Sequence, residues 1–156
     1  MIAANPKFRE LIHVCRNLRE LSREEMYMTS EIEEPDLLAE QMVGDRLQWV
    51  AYHDGKPAAV IGARQAHPGV WNLYGFGTDD YEHIMLEVTK HARRVMMPEV
   101  KATGAHRAQA LSPADHVETH KWLRFLGAKE EARLGGFGKN GEDVLVFAWR
   151  REKSCA

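Results

Sequence analysis

The stretch from His116 to Arg150 decides the fold. Its residues 119–150 read THKWLRFLGAKEEARLGGFGKNGEDVLVFAWR. In its first part, three apolar residues fall at spacings that place them on one face of a helix: Trp122, Leu123 and Leu126. Gly127 follows, at the position where a helix most often ends in a left-handed residue. These features predict a helix that stops at Gly127.

The rest of this stretch predicts two strands joined by a glycine-rich turn. Residues 144–149 are apolar and alternate between two faces, which is the period of a strand. The turn, residues 135–141, reads GGFGKNG and is followed by Glu142 and Asp143 rather than by a helix. It therefore predicts a mobile hairpin tip and not a phosphate-binding loop. Phe137, at its centre, would be exposed to contact a neighbouring protein.

The segments before this stretch predict a mixture of helices and strands. Apolar spacing, caps and turn residues indicate a helix over 6–21, a capped continuation from Ser22, a helix over 35–44, strands over 47–52, 58–64 and 70–76, a helix over 79–97 that Pro98 ends, and a strand over 107–111. The first helix should bury four side chains: Phe8, Leu11, Cys15 and Leu18. The chain is therefore expected to form an α/β domain with a mixed sheet and helices packed on it.

Length and composition exclude several classes of protein. A chain of 156 residues, 44% of them hydrophobic, is large enough for one domain with its own core. A net charge of −2 with scattered basic residues argues against a nucleic-acid partner. Neither a signal peptide nor an apolar run of roughly 20 residues is present, so no membrane partner is expected. Cys15 and Cys155 do not have the spacing of a disulfide framework, and two such cysteines are typical of unpaired thiols in a reducing cytoplasm.

Several short segments, in their order and spacing, resemble a family of known fold. They are residues 17–20, 22–25, 51–62, Trp71 with 77–79, and 122–128. Together they resemble a phage-encoded branch of the GNAT-like proteins, which share the fold of the GNAT N-acetyltransferases and include internal virion proteins of tailed phages. The resemblance implies one GNAT-like domain over 1–156, with a mixed central sheet, helices on both faces and an N-terminal strand that is reduced or absent. It divides the chain into N-terminal helices (1–44), central strands with the main helix (45–111), and the last helix with a C-terminal hairpin (112–151).

In GNAT enzymes, the strand before the main helix ends in a loop of pattern Arg/Gln-x-x-Gly-x-Gly/Ala, whose backbone N–H groups hold the pyrophosphate of coenzyme A. A helix N-terminus suits that anion because its dipole is positive and its N–H groups are unpaired. The corresponding segment here reads NLYGFG, residues 72–77. The resemblance therefore implies five residues that would bind acetyl-CoA: Asn72, Gly75, Phe76, Gly77 and Thr78.

Two departures from that pattern act against acetyl-CoA. Asn72 stands at the lead position, and no lysine or arginine lies nearby. Thr78, a good helix cap, is followed by Asp79 and Asp80. The two carboxylates stabilise the start of the helix, but they occupy its positive end and repel a pyrophosphate. These residues predict weak binding of the cofactor or none.

The catalytic residues of the GNAT enzymes are only partly matched. Many of those enzymes carry, four residues before the glycine of the last helix, a tyrosine that protonates the leaving thiolate; Leu123 stands there and cannot donate a proton. His116 stands where an asparagine often begins that helix, so an imidazole acid or base is available. The candidate catalytic residues are His116, His120 one turn later, and Glu82 in the main helix. Two histidines alone do not make a metal site, and we expect none.

Two functions follow as hypotheses. In the first, the chain is a phage-encoded GNAT-fold protein that associates with other virion proteins and has a degraded acyltransferase site. It would be made in the host cytoplasm and carried in the virion. In the second, it is an active acetyl-CoA-dependent N-acetyltransferase that modifies an amine of a protein or a small molecule. Self-association is compatible with both.

Overall fold

The computed structural model describes residues 1–151, and Cys155 lies outside them. Within these residues, seven strands form one sheet: β1 (Ile2–Ala4), β2 (Leu47–His53), β3 (Lys56–His67), β4 (Val70–Gly77), β5 (Arg107–Pro113), β6 (Lys129–Leu134) and β7 (Val144–Arg150). Their order in the sheet is β1-β2-β3-β4-β5-β7-β6. Every neighbouring pair is antiparallel except β4 and β5, which run parallel.

The α-helices of residues 1–151 are α1 (Phe8–Arg16), α2 (Glu20–Tyr27), α3 (Pro35–Met42), α4 (Met85–His91), α5 (Met97–Ala102) and α6 (Val117–Phe125). A 3-10 helix over Asp79–Ile84 leads into α4, and a π-helical turn over Ala92–Met96 joins α4 to α5. These pieces together form one main helix. Within residues 1–151, no helix has the length and apolar character needed to span a membrane.

The sheet is covered on both faces because apolar side chains along its central strands point alternately to opposite sides. On one face, Val50, Val60 and Phe76 pack against α1, α2 and α3. On the other face, Trp49 and Ile61 pack against the main helix. The expected mixed sheet with helices on both faces is therefore confirmed.

The two outer strands of the sheet differ in length and character. At one edge, β1 has three residues and pairs with β2, with Ile2 opposite Ala51. The expectation of a reduced N-terminal strand is confirmed. At the other edge, β6 pairs only with β7 and exposes nearly all of its side chains. The last helix and hairpin form as predicted, and Gly127 adopts φ +97° in the turn between α6 and β6.

The N-terminal helical region differs from the predicted single helix over 6–21. Helix α1 ends at Arg16 because the side-chain amide of Asn17 donates a hydrogen bond to the carbonyl of His13, 2.7 Å away. A separate helix, α2, then begins, so that Ser22 lies buried inside it and does not cap it. Phe8 is exposed, whereas the other three predicted core residues of this region are buried.

The main helix continues past Pro98, so the prediction that it ends there was wrong. Pro98 lies in the first turn of α5, directly after the π-helical turn. A π turn holds an extra residue, which relieves the clash and the lost hydrogen bond that a proline causes inside a regular α-helix. The helix therefore runs on to Ala102.

The glycine-rich loop between β6 and β7 is anchored to the rest of the domain, in contrast to the predicted mobile tip. The backbone N–H of Lys139 donates to the carbonyl of Met28 at 2.8 Å. The Lys139 ammonium donates to the carbonyl of Ser30 at 2.8 Å and pairs with Glu33 at 3.1 Å. These contacts tie the loop to the connection between α2 and α3, while Phe137 is exposed as predicted.

Candidate cofactor cleft between strands β4 and β5

The parallel strands β4 and β5 are joined along only part of their length. They pair at three positions, where Val70, Trp71 and Asn72 lie opposite residues 107–109. Beyond this point, residues 73–77 of β4 stay paired with β3, and residues 110–113 of β5 stay paired with β7. The two strands therefore diverge towards their C-terminal ends and leave a wedge-shaped cleft between them.

Asn72, the lead residue of the predicted cofactor motif, lies at the closed end of this cleft. Its side-chain oxygen accepts a hydrogen bond from the amide of Gln109 at 2.8 Å. All of residues 72–77 belong to β4 and pair with β3, so the motif is a strand and not a loop before a helix. Gly77 and Thr78 are the part of the predicted motif that reaches the start of the main helix.

Gly75 and Gly77 face the buried side chain of Tyr81. A Cβ atom at Gly77 would lie 2.9 Å from the Tyr81 Cβ and 2.7 Å from the carbonyl oxygen of Ala58, closer than real Cβ atoms approach such atoms. The Arg19 guanidinium carbon lies over the Tyr81 ring, 4.4 Å from its centre. Burial raises the pKa of Tyr81 to about 12, which keeps the phenol neutral. Packing against Tyr81 therefore accounts for glycine at position 77.

The N–H groups at the start of the main helix find partners within the protein. Thr78 acts as the predicted N-cap, since its hydroxyl oxygen accepts from the N–H of Asp80 at 3.2 Å. The N–H of Tyr81 donates to the Thr78 carbonyl, and the N–H of Thr78 donates to the carbonyl of Ala58. These three donors are consequently not free for an anion.

Helix α2 and the turn before it hold the end of β4 on the cleft side. The N–H of Gly77 donates to the hydroxyl oxygen of Ser22 at 3.1 Å, in a buried hydrogen bond. The carbonyl of Gly77 accepts from the N–H of Arg19 at 3.0 Å. Both backbone polar groups of Gly77, the residue on which coenzyme A binding would depend, are thus already paired.

Helix α2 also holds the other side of the cleft mouth, through His116 just after β5. The imidazole of His116 is buried and contacts Glu24 through Nε2 at 2.7 Å and Glu25 through Nδ1 at 3.0 Å. Burial opposes the charged ring, but the hydrogen bonds to Glu25 and Glu24 outweigh it and raise the pKa of His116 above its ordinary value. The geometry assigns both nitrogens as donors, so His116 forms an ionic bridge between α2 and the start of α6.

His120 lies one turn further along α6 and is buried against the sheet. Its Nε2 atom lies 3.0 Å from the carbonyl oxygen of Pro113 and 3.1 Å from the hydroxyl of Ser112, so this nitrogen is assigned as the donor. Its ring packs on Phe147, with the ring centres 5.1 Å apart. Burial lowers the pKa of His120, which favours a neutral ring held in place by β5.

Glu82, the third candidate catalytic residue, lies apart from the two histidines. Its side chain is 76% exposed on the 3-10 helix, and its nearest ionic partner is His83 at 3.9 Å. It therefore makes no hydrogen bond with His116 or His120, so the three candidates do not form one hydrogen-bonded group. A catalytic role for each of the three stays a prediction.

Sequence reasoning gave no role at this site to Tyr81, and it did not foresee the contacts that Ser22 and Trp122 make here. On the face covered by the main helix, the indole N–H of Trp122 donates to the hydroxyl of Thr89 at 2.7 Å and links α6 to α4. The position of Tyr81 could have indicated its role in the sequence, because it follows Gly77 by four residues. A glycine beside the start of a helix permits close packing of helix and strand.

Replacing Gly77 by alanine should lower the free energy of unfolding by about 2 kcal/mol, because the added methyl group overlaps Tyr81 and Ala58. Gly75→Ala is the matched control in the same strand. Its Cβ atom would lie 3.4 Å from Ile61, so the loss should stay below about 1 kcal/mol. Urea denaturation measures the free energy of unfolding of both variants. Equal losses in the two variants would contradict the conclusion that packing against Tyr81 requires glycine at position 77.

Comparison with known proteins shows the fold of the chain. Neither the family models nor the curated proteins yield a match. Solved structures do, at low sequence identity. The protein yncA from Salmonella typhimurium, solved with acetyl-CoA as its cofactor, has 14% identity and a TM-score of 0.72, over 100% of this chain and 96% of that chain. Ard1 from Thermoplasma volcanium has 11% identity and a TM-score of 0.73, over 98% of both chains.

A third structure, the GNAT-family acetyltransferase from Bacillus anthracis, has 11% identity and a TM-score of 0.67, over 94% of this chain and 92% of that chain. At identities this low, the structural similarity establishes the fold, and the activity has to be argued from the site. The chain is a single α/β domain with the fold of the GNAT acetyltransferases.

Proposed function

We propose that this chain is a phage-encoded GNAT-fold protein that works by association with other virion proteins and has lost acyl transfer. The observation that carries the loss of acyl transfer is the occupied mouth of the cleft. Ser22 and Arg19 take both backbone polar groups of Gly77, and His116 binds α2 from the other side. A pyrophosphate would have to displace these partners and lie beside Asp79 and Asp80.

The association with virion proteins rests on the sequence resemblance, which is carried by the order and spacing of five segments together: residues 17–20, 22–25, 51–62, Trp71 with 77–79, and 122–128. The chain would be made in the host cytoplasm and then carried in the particle. Mass spectrometry of purified phage particles tests this, since the chain should be present among their proteins. Its absence from the particles would refute the association.

The loss of cofactor binding is tested by thermal denaturation of the purified protein. We expect millimolar acetyl-CoA to leave the melting temperature unchanged, with ADP as a control for weak binding of any diphosphate. A ligand at 100 times its dissociation constant would stabilise the fold by about 2.7 kcal/mol, which a melting curve detects readily. A rise with acetyl-CoA but not with ADP would contradict the proposal.

A second candidate function is an acetyl-CoA-dependent N-acetyltransferase that acts on an amine of a protein or a small molecule. The divergence of β4 from β5 favours it, since it leaves a cleft within the sheet. Residues 72 and 75–78 would then line the cofactor, and His116, His120 or Glu82 would exchange protons. Two contacts weigh against this candidate: the Gly77 N–H already donates to Ser22, and Tyr81 occupies the space beside Gly77.

The second candidate makes its own prediction. If acetyl-CoA binds at the start of the main helix, replacing Asp79 and Asp80 by asparagine should tighten binding by lifting the repulsion of the pyrophosphate. Calorimetric titration of this double variant against the unmodified chain measures the change. Weaker binding in the variant would place the cofactor elsewhere.

A further inference from the structure

A cluster of two imidazoles and one carboxylate lies on the side of β4 that faces away from β5. His53 ends β2 at the turn into β3, and Asp80 and His83 belong to the 3-10 helix that starts the main helix. Among residues 1–151, this is the one group of three histidine, cysteine or acidic side chains whose ligand atoms converge. Because Asp80 follows His53 by 27 positions, sequence spacing gave no hint of the cluster.

The local backbone explains why these three side chains meet. A 3-10 helix has three residues per turn, so residues three apart lie one above the other. Asp80 and His83 therefore share one face of the helix. Across from them, the rings of His53 and His83 stack, with centres 4.9 Å apart and planes inclined by 18°. All three side chains are at least partly exposed and can rotate without disturbing the core.

The distances and the donor types suit one class of ion. One nitrogen of each histidine and one carboxylate oxygen of Asp80 all lie within 4.8 Å of one another. Ligands about 2.0–2.1 Å from a tetrahedral Zn²⁺ lie about 3.3 Å apart, so the three atoms would close in by about 1.5 Å at most. Imidazole donors favour Zn²⁺, Co²⁺ and Ni²⁺, whereas Mg²⁺ and Ca²⁺ prefer oxygen ligands alone.

We propose that His53, Asp80 and His83 form a binding site for Zn²⁺ and related divalent transition-metal ions. The ion links the β2–β3 turn to the first turn of the main helix. Three protein ligands leave a fourth position facing solvent, where water or a donor atom from another molecule can bind. The site uses none of Gly77, Ser22 and His116, which hold the mouth of the cleft between β4 and β5.

Calorimetric titration of the purified protein with ZnCl₂ tests this site. We expect one ion per chain, a higher melting temperature with Zn²⁺, and no comparable binding of MgCl₂. His53→Ala and His83→Ala should each weaken Zn²⁺ binding at least tenfold, and they lie at the surface, so both variants should fold. His67→Ala, which removes an exposed imidazole outside the cluster, is the matched control and should bind like the unmodified protein.

Two results would overturn the proposal. One is an absence of saturable Zn²⁺ binding at submillimolar concentrations. The other is equal Zn²⁺ affinity in His53→Ala, His83→Ala and His67→Ala, which would place the ion at another group. Titration with Co²⁺ gives a second measurement, since ligation by imidazole changes its visible absorption and His53→Ala should abolish that change.

Discussion

Replacing Phe147 by alanine should lower the free energy of unfolding by about 4 kcal/mol, the largest effect that we expect from a single change. Phe147 lies in the middle of β7 and is 0% exposed. It packs with Leu123 of α6 and with Leu145 in the cluster that joins the last helix to the sheet. Removing the ring leaves a cavity that the neighbouring strands cannot fill, so both the burial and the packing are lost.

Phe125→Ala is the control for this prediction, because it deletes the same ring from the neighbouring helix. Phe125 is 64% exposed on α6, where its loss should change stability by no more than about 0.5 kcal/mol. Urea denaturation followed by circular dichroism compares the two variants. Losses of similar size would mean that α6 and β7 pack in a different register.

Replacing His116 by alanine should lower the free energy of unfolding by about 3 kcal/mol near pH 6. The change removes the imidazolium that lies between Glu24 and Glu25. The Glu25 carboxylate, which is largely buried, then has lost its cationic partner. The Glu24 side chain is 51% exposed, so water compensates part of the loss on that side. The same change should loosen α2 from the end of β5.

The effect of His116→Ala should depend on pH. Since the pKa of His116 is raised in the folded protein, its stabilisation is fully present below the ordinary imidazole value of about 6.5 and is lost as pH rises through the folded value. The difference between unmodified protein and variant should therefore be larger at pH 6 than at pH 9. His67→Ala, at the surface, is the control, and a pH-independent loss in His116→Ala would show that the ring is not charged.

Much of the fold could be predicted because its signals are local. The apolar spacing before Gly127, the Asp-Gly turn at 54–55 and the alternation over 144–149 each involve residues close together in the sequence. Two of the errors in helix boundaries also have local causes. Asn17 breaks the first helix with its own side chain, and the π-helical turn accommodates Pro98.

The contacts that α2 makes at the mouth of the cleft could not be predicted, because they join residues far apart in the sequence. The hydrogen bond between Ser22 and Gly77 spans 55 residues, and the contact between Glu25 and His116 spans 91. The motif over 72–77 showed which residues could meet a cofactor, but not that α2 already binds the end of that strand. The sequence did show two features that disfavour an anion there: the acidic pair Asp79 and Asp80, and Asn72 in place of a basic lead residue.

The charged outer strand β6 affects how the molecule behaves when it is crowded. An uncovered strand edge is a template for another chain, and lysine and glutamate side chains along it oppose such pairing. β6 carries Lys129, Glu130 and Glu131, and an irregularity between Glu130 and Ala132 interrupts its ladder with β7. The opposite edge, β1, is only three residues long. Both edges therefore disfavour amyloid-like pairing with a strand of another molecule.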